Sequence, residues 1–267
     1  LTEELAAKLQ AARTLAELED IYRPYKPKRR TRATMAKERG LEPLALLLML
    51  QQPLKTTLED EAARFVDAEK DVPDVEAALS GARDILAEQF SDDAEARRKL
   101  RKLMAAQAVM ETKNTKDEDS VYRLYYEYSE PIARIPGHRI LAINRGEREE
   151  MLKVYLRIDD ERALRILREA FVRGEGPCSA QVNLAAEDAW ERLIFPSLER
   201  ELRAELTDKA GTAAVRVFAD NLRHLLMQPP IMGRSTHGVV PGFRTRRSTA
   251  ALDGSRPAQD NARRHLP

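Results

Sequence analysis

The chain has 267 residues; 33% are charged, yet the formal net charge is only +1, and 5% are aromatic. This balance excludes a polycation that coats nucleic acid indiscriminately, and the few aromatic residues argue against an RNA-binding sheet that stacks successive bases on exposed rings. The single cysteine, Cys178, has no partner for a disulfide within the chain. Because there is also no apolar signal region and no long uncharged apolar run, we expect a cytoplasmic protein without a membrane segment.

Apolar residues recur every three or four positions along most of the chain, which predicts a mainly α, multi-helix domain. Helix starts are expected where a hydroxyl or carboxyl side chain can cap the first turn. These positions are Thr14, Thr31, Thr57, Asp74 and Ser91. Gly40 is expected to end a helix in the left-handed conformation, and Pro43 suits the first turn of the next helix.

Two prolines interrupt the helical pattern near the N-terminus. Pro24 and Pro27 lack backbone donors, so the helix that Thr14 begins should stop before Pro24 and continue as a stiff, extended connection. We call residues 24–32 the basic elbow. Its cations are Lys26, Lys28, Arg29, Arg30 and Arg32.

The basic elbow has two interpretations. Its cations contact nucleic-acid phosphates, or its arginines pair with Glu17, Glu19, Asp20 or acids of neighbouring helices. The first is a binding surface, and the second is a structural charge network.

The middle of the chain changes character. Residues 111–120 lose apolar periodicity, which predicts an exposed loop or hinge. The tyrosines that follow either pack under this loop at helical spacing or stack bases beside Arg123 and Arg134. These tyrosines are Tyr122, Tyr125, Tyr126 and Tyr128.

The second half of the chain is again largely helical. Residues 151–158 alternate with the period of a half-buried strand, so at most a short strand or hairpin is expected there. Asp159 and Asp160 mark the next helix start. One long helical stretch follows from Ala180 to Met227, with an interruption at Pro196.

No motif predicts catalysis or a metal site. Cys178 lies in a Gly/Pro loop far in sequence from His138, and the four histidines lack ligand spacing. Acid pairs such as Asp92 and Asp93 suit helix ends rather than a catalytic dyad. We therefore expect no cofactor and no metal.

Several segments resemble the Tex family of bacterial transcription accessory proteins. They include LEDIYRPYKPKRRTRA, VEAALSGARDILAE, YSEPIARIPGHRILAINRGERE and AWERLIFPSLERELRAELT, in the family's order. The resemblance implies an internal helical fragment, because family members begin with a helix-turn-helix segment and continue with a YqgF-type nuclease-like fold. A helix-hairpin-helix region and a C-terminal OB-fold that binds RNA follow. It implies single-stranded RNA or DNA as a partner, mainly through those absent domains, and RNA polymerase or other transcription proteins as further partners.

The junction with the nuclease-like fold bears on activity. Family members read GLDPGFRTG there, whereas residues 238–245 read GVVPGFRT. Val240 matches the carboxylate that helps active nucleases of this fold hold Mg²⁺, and valine cannot ligate a hard cation. We expect three parts: a helical domain over 1–228, the start of the nuclease-like domain over 229–245, and a disordered tail over 246–267 that no longer resembles the family.

Two functions follow as hypotheses. In the first, the chain is the non-catalytic helical scaffold of a Tex-like nucleic-acid-binding transcription accessory protein, with the basic elbow adding phosphate contacts. In the alternative, it is a helical module that docks the transcription machinery without touching nucleic acid.

Overall fold

The computed structural model describes residues 3–12, 14–26, 29–116, 119–229, 236–241, 246–252 and 261–265. The chain divides into two compact units, Leu1–Thr212 and Ala213–Pro267, and the boundary falls inside the last helix. The domain boundary predicted between residues 228 and 229 is a separate question, and it stays a prediction.

The first unit is mainly α, which confirms the predicted fold class. Its helices are α1 (Glu3–Ala11), α2 (Leu15–Tyr22), α3 (Arg32–Glu38), α4 (Glu42–Leu50), α5 (Leu58–Ala63), α6 (Val75–Ser91), α7 (Ala94–Gln107), α8 (Gly137–Arg148), α9 (Asp160–Phe171), α10 (Pro177–Asp188) and α11 (Phe195–Leu226, continuing into the second unit). Short 3-10 turns lie at Arg23–Tyr25, Ala68–Lys70 and Arg123–Tyr125.

Local capping explains most of the helix starts. Thr31 accepts a hydrogen bond from the Thr34 amide at 3.1 Å, and the Thr34 hydroxyl accepts one from the Thr31 amide at 2.7 Å. Thr14, Thr57 and Asp74 likewise cap α2, α5 and α6. These predicted caps are therefore confirmed, because each needs only a side chain three residues from its partner.

One predicted cap is wrong. Ser91 is the last residue of α6, and its hydroxyl donates to the Glu88 carbonyl at 2.9 Å. Asp93 caps α7 instead, accepting from the Ala96 amide at 2.7 Å. A carboxylate two residues further along, at the observed helix start, takes the role that the sequence suggested for the serine.

The core is centred on α6, which contacts α3, α4, α5 and α10. The α6 residues Ala82 and Ile85 are fully buried, as are Leu44 and Leu48 of α4. Gly40, just before α4, has φ of +83°, the left-handed end of α3 that the sequence predicted.

A three-stranded antiparallel sheet accompanies the helices. Its strands are β1 (Val109–Asn114), β2 (Glu127–Pro131) and β3 (Leu152–Arg157), in the order β2-β1-β3. Glu111 lies opposite Ser129 on one side and Tyr155 on the other. The predicted strand near 151–158 is thus confirmed as β3, and the sheet is larger than the short strand or hairpin expected.

The loop predicted over 111–120 is wrong at its start, since residues 111–114 belong to β1. Met110 and Thr112 are buried while the following lysine and asparagine are exposed. A central strand with one solvated face carries polar residues, and these hid its period in the sequence.

The tyrosines after this strand are packed. Tyr122 is 5% exposed, and its hydroxyl donates to Glu149 at 2.8 Å. The rings of Tyr125 and Tyr128 meet edge to face with centroids 5.4 Å apart. Tyr125 lies in a 3-10 turn and Tyr128 in β2, so the predicted helical spacing is wrong, and tertiary packing brings these rings together instead.

The long helical stretch is continuous from α10 to α11. A π-helical turn, Ala189–Ile194, joins them, and Pro196 is the second residue of α11. The predicted interruption therefore takes the form of a π turn just before the proline, where the missing amide donor is accommodated by a shifted hydrogen-bond pattern.

Within its described residues, the second unit contains the end of α11 and three strands. They are β4 (Thr236–Pro241), β5 (Arg246–Leu252) and β6 (Asn261–His265), paired antiparallel in the order β4-β5-β6. Val240 lies in β4, opposite Ser248. The tail predicted to be disordered thus contains two strands, and its remaining residues lie outside the described part of the chain. Amide exchange along β5 distinguishes a paired strand from the disorder that the sequence predicted.

Candidate nucleic-acid interface

A buried charge cluster fixes α2, the helix that leads into the basic elbow. Asp20, 4% exposed, accepts from Arg97 Nε and from Arg101 Nη2, both at 2.5 Å. Both arginines lie on α7, and Glu201 of α11 accepts from Arg101 at 3.2 Å. We call Asp20, Arg97, Arg101 and Glu201 the anchor cluster. It ties three helices together ahead of the elbow.

The anchor cluster combines short hydrogen bonds with one buried donor that has no acceptor in the described part of the chain. Arg97 is 1% exposed, and its Nη2 donates to the Ser197 hydroxyl at 3.2 Å. Its Nη1 has no hydrogen-bond partner in the described part of the chain. Buried guanidinium groups of this kind depend on their carboxylates, because an unpaired buried charge is costly.

The next arginine extends the cluster toward the elbow. Arg23 is half-buried and pairs with Asp92 at 3.3 Å. Burial lowers the pKa of Arg23, with the nearby positive charge of Arg97 adding to the effect. The Arg23 guanidinium is therefore engaged by Asp92 and only partly open to a ligand.

A 3-10 turn, Arg23–Tyr25, leads into the elbow, and Lys26 then adopts an extended conformation with φ −70° and ψ 130°. Lys26, Arg29 and Arg30 are exposed, and Arg32 is the exposed first residue of α3. Lys28, the fifth predicted site residue, lies outside the described residues, as does Pro27. The described cations thus lie along one short segment on the surface.

These cations differ in whether an acid neutralises them. Arg30 Nη2 lies 3.4 Å from Glu38 Oε2. The charge of Arg32 reaches the carboxylate of Asp84, which is itself paired with Arg192 at 2.8 Å. Within the described part of the chain, Lys26, Arg29 and Arg32 form no ion pair, and Arg32 acts on Asp84 only through its charge.

The structure therefore separates the two interpretations of the elbow residue by residue. Asp20 is occupied by Arg97 and Arg101 rather than by an elbow arginine. Arg30 does pair with an acid of its neighbouring helix. Among the described cations of the elbow, Lys26 and Arg29 leave positive charge for a ligand, whereas the charge of Arg32 also acts on the Asp84 carboxylate.

Sequence reasoning missed two aromatic residues beside these cations. Tyr22 and Tyr25 are 49% and 60% exposed. The available signal was their three-residue spacing directly ahead of Lys26, but exposure depends on the tertiary structure and the sequence drew attention to the later tyrosines instead.

The remaining chemical candidates are not brought together. Cys178 is buried, and burial raises the pKa of its thiol, which disfavours the nucleophilic thiolate. Among the described residues, no three His, Cys, Asp or Glu side chains converge as a metal-binding group. None of the helices in that part of the chain combines the length and apolar content that crossing a membrane requires.

Comparison with known proteins agrees with the Tex resemblance. Residues 54–218 match the family described as Tex central region-like. Protein YhgF of Escherichia coli (strain K12) is 38% identical over 270 residues, which cover 96% of this chain and 34% of that protein. Transcriptional accessory protein Tex of Neisseria gonorrhoeae is 37% identical over 266 residues, covering 95% of this chain and 34% of that protein.

A similar relative occurs in Homo sapiens. S1 RNA-binding domain-containing protein 1 is 33% identical over 262 residues, covering 91% of this chain and 26% of that protein. The chain thus spans about a third or less of the length of these relatives. Because the family match covers more than half of its residues, the chain belongs to the Tex family and contains the central region of that family.

Proposed function

We propose that this chain is a non-catalytic helical scaffold of a cytoplasmic transcription accessory protein, and that its basic elbow contacts the phosphates of single-stranded nucleic acid. The observation that carries the proposal is the pair Lys26 and Arg29, exposed and without ion pairs in the described part of the chain. Cations that no protein acid neutralises are the ones that gain most from a polyanion.

The anchor cluster supports the same proposal. Asp20 holds α2 against α7 through two short hydrogen bonds, and it lies three residues before the 3-10 turn Arg23–Tyr25 that leads into the elbow. A fixed cation loses less entropy on contacting a phosphate than one on a free arm. The scaffold therefore positions the elbow as well as supporting its neighbours.

Two further observations support a non-catalytic role. Val240 stands where the resemblance places a metal-binding carboxylate, and its apolar side chain has no oxygen for a hard cation. Cys178 is buried with a raised thiol pKa. Names of relatives support the association with transcription and RNA, since two of them read Transcriptional accessory protein Tex and S1 RNA-binding domain-containing protein 1.

A salt titration tests the elbow. Binding of the full 267-residue chain to a labelled single-stranded RNA is measured by fluorescence anisotropy at several salt concentrations. The double variant Lys26→Ala, Arg29→Ala should weaken binding for all sequences and reduce the slope of log K against log salt by about 1.4, or about 0.7 per lost contact.

The matched control removes the same charges elsewhere. Lys102 of α7 and Arg165 of α9 are exposed and form no ion pair in the described part of the chain. Lys102→Ala, Arg165→Ala should leave the slope unchanged. Equal slopes for both double variants, or no binding by the unaltered chain at low salt, would overturn the elbow's role.

The second candidate function is docking to the transcription machinery, and the end of α11 favours it. Val215, Phe218, Leu222 and Leu225 recur with heptad spacing and are 66%, 66%, 41% and 62% exposed. Capture of purified RNA polymerase by the nuclease-treated chain, lost on Phe218→Asp, is the result expected of this function. The elbow double variant should leave that capture unchanged.

A further inference from the structure

Tyr22 and Tyr25 form an exposed aromatic pair at the entrance to the basic elbow. Tyr22 ends α2, and Tyr25 ends the 3-10 turn that follows. Tyr22 is also the residue that precedes this 3-10 turn, and positions three residues apart in such a turn are separated by about 6 Å of backbone rise. That separation is about twice the rise per base of a nucleic-acid strand.

In the described part of the chain, the side chains of Tyr22 and Tyr25 lack the hydrogen bonds and ring contacts that Tyr122 and Tyr125 make within the fold. Within the described residues, the side chains of Tyr22 and Tyr25 make no hydrogen bond and no ring contact. Tyr122, in contrast, is buried and donates to Glu149, and Tyr125 packs against Tyr128. The two exposed rings are therefore available for an external partner.

The charges beside the rings indicate which partner. Lys26 follows Tyr25 directly, and Arg29 lies three residues further on, both without ion pairs in the described part of the chain. Two nearby carboxylates are already paired, since Asp20 faces Arg97 and Arg101 while Asp92 faces Arg23. Aromatic faces flanked by free cations are the combination by which proteins hold unpaired nucleotides.

We propose that Tyr22 and Tyr25 stack on the bases of a single nucleic-acid strand whose phosphates contact Lys26 and Arg29. This inference rests on the proposed function of the elbow and specifies it. Because stacking needs bases that are not enclosed in a duplex, the site distinguishes single strands from duplexes. Every base has a ring face, so the site has little sequence preference.

An abasic ligand separates stacking from phosphate contact. The full chain is titrated at low salt with a uridine RNA of about twelve nucleotides and with an abasic RNA oligomer of the same length. The unaltered chain should bind the uridine RNA at least about fivefold more tightly, given about 1–3 kcal/mol per stacked base. Tyr22→Ala, Tyr25→Ala should bind both ligands as the unaltered chain binds the abasic one.

Two matched variants complete the design. Tyr22→Phe, Tyr25→Phe keeps the rings and should keep the preference. Leu15 and Leu18 precede Tyr22 on the same exposed face, at 73% and 41% exposure. Leu15→Ala, Leu18→Ala removes apolar surface without removing a ring and should not change the preference, whereas equal losses from the leucine and tyrosine variants would indicate a polypeptide ligand and overturn the inference.

Failure of this inference is distinguishable from failure of the elbow. If the tyrosine variant keeps the preference for uridine RNA while Lys26→Ala, Arg29→Ala still flattens the salt slope, stacking is wrong and the phosphate contact stands. If the unaltered chain binds neither ligand, both proposals are wrong. Circular dichroism of the tyrosine variant should be unchanged, because both rings are exposed.

Discussion

At the scale of single residues, Asp20 decides how the N-terminal helices are held. It is the carboxylate of the anchor cluster that contacts both Arg97 and Arg101. Arg97 is 1% exposed, so its charge has little access to water. Removing one partner of a buried ion pair leaves the other uncompensated, which is more damaging than never having had the pair.

We expect Asp20→Ala to lower the free energy of unfolding by about 3 kcal/mol. Urea denaturation followed by circular dichroism measures the change. Glu19→Ala is the control, since Glu19 is exposed, adjacent and without an ion pair in the described part of the chain, and it should change stability by less than about 0.5 kcal/mol. Similar values for the two variants would contradict the role of the anchor cluster.

At the scale of elements, two helical glycines differ in whether the surrounding packing leaves room for a side chain. Gly146 lies on α8, where an added Cβ would come within 2.7 Å of Leu152 Cδ1 and 3.1 Å of Tyr122 Cδ1. Both neighbours are buried, at 2% and 5% exposure. Gly211 lies inside α11, and an added Cβ there would meet nothing within 4 Å. The first glycine permits close packing, and the second only weakens its helix.

The two alanine variants should therefore have opposite effects. Gly146→Ala should destabilise the chain by about 1–3 kcal/mol because it overpacks the contact between α8 and β3. Gly211→Ala should stabilise it by about 0.5–1 kcal/mol because alanine loses less backbone entropy in a helix. Urea midpoints of both variants check this, and a stabilising Gly146→Ala would show that the contact is loose.

At the scale of the whole molecule, ion pairs spread over the chain give stability a predictable dependence on pH. Hydrogen bonds from Lys70, Arg98 and Arg145 lower the pKa of Asp67, Glu95 and Glu149, respectively. Burial raises the pKa of Asp84, against the opposing charge of Arg192. The three carboxyls with a lowered pKa and the one carboxyl with a raised pKa therefore have opposite effects on how stability changes with pH.

Stability should fall as the pH drops below about 4.5, near the carboxyl pKa values of unfolded chains. Between the folded and unfolded pKa of each lowered group, the unfolded chain binds more protons, so acid favours unfolding. In the triple variant Asp67→Asn, Glu95→Gln, Glu149→Gln, the free energy of unfolding should fall less steeply with decreasing pH. Urea denaturation between about pH 5 and about pH 3 measures this.

Asp84→Asn is the control for the sign of the effect. A carboxyl whose pKa is raised in the folded chain favours folding in acid and loses that contribution as the pH rises. Replacing Asp84 should therefore make the free energy of unfolding fall more steeply as the pH drops below about 4.5. A flatter decline for Asp84→Asn than for the unaltered chain would contradict this assignment.

Much of the helical fold was predictable from the sequence because its determinants are local. Thr31, Thr57 and Asp74 cap helices by bonding three residues ahead, and Gly40 ends one through its own backbone conformation. Apolar periodicity adds the buried faces. None of these features depends on a distant segment.

The sheet and the candidate interface depended on distant contacts. β1 is polar on its solvated face, and only pairing with β2 and β3 makes it a strand. The sequence identified Lys26 and Arg29 as cations, but it did not show that Asp20 is already occupied by α7, or that Tyr22 and Tyr25 are the exposed rings. Sequence alone determined the helices and the charge of the elbow, whereas tertiary structure decided which charges and rings are left for a partner, because neutralisation and burial are set by residues far apart in the chain.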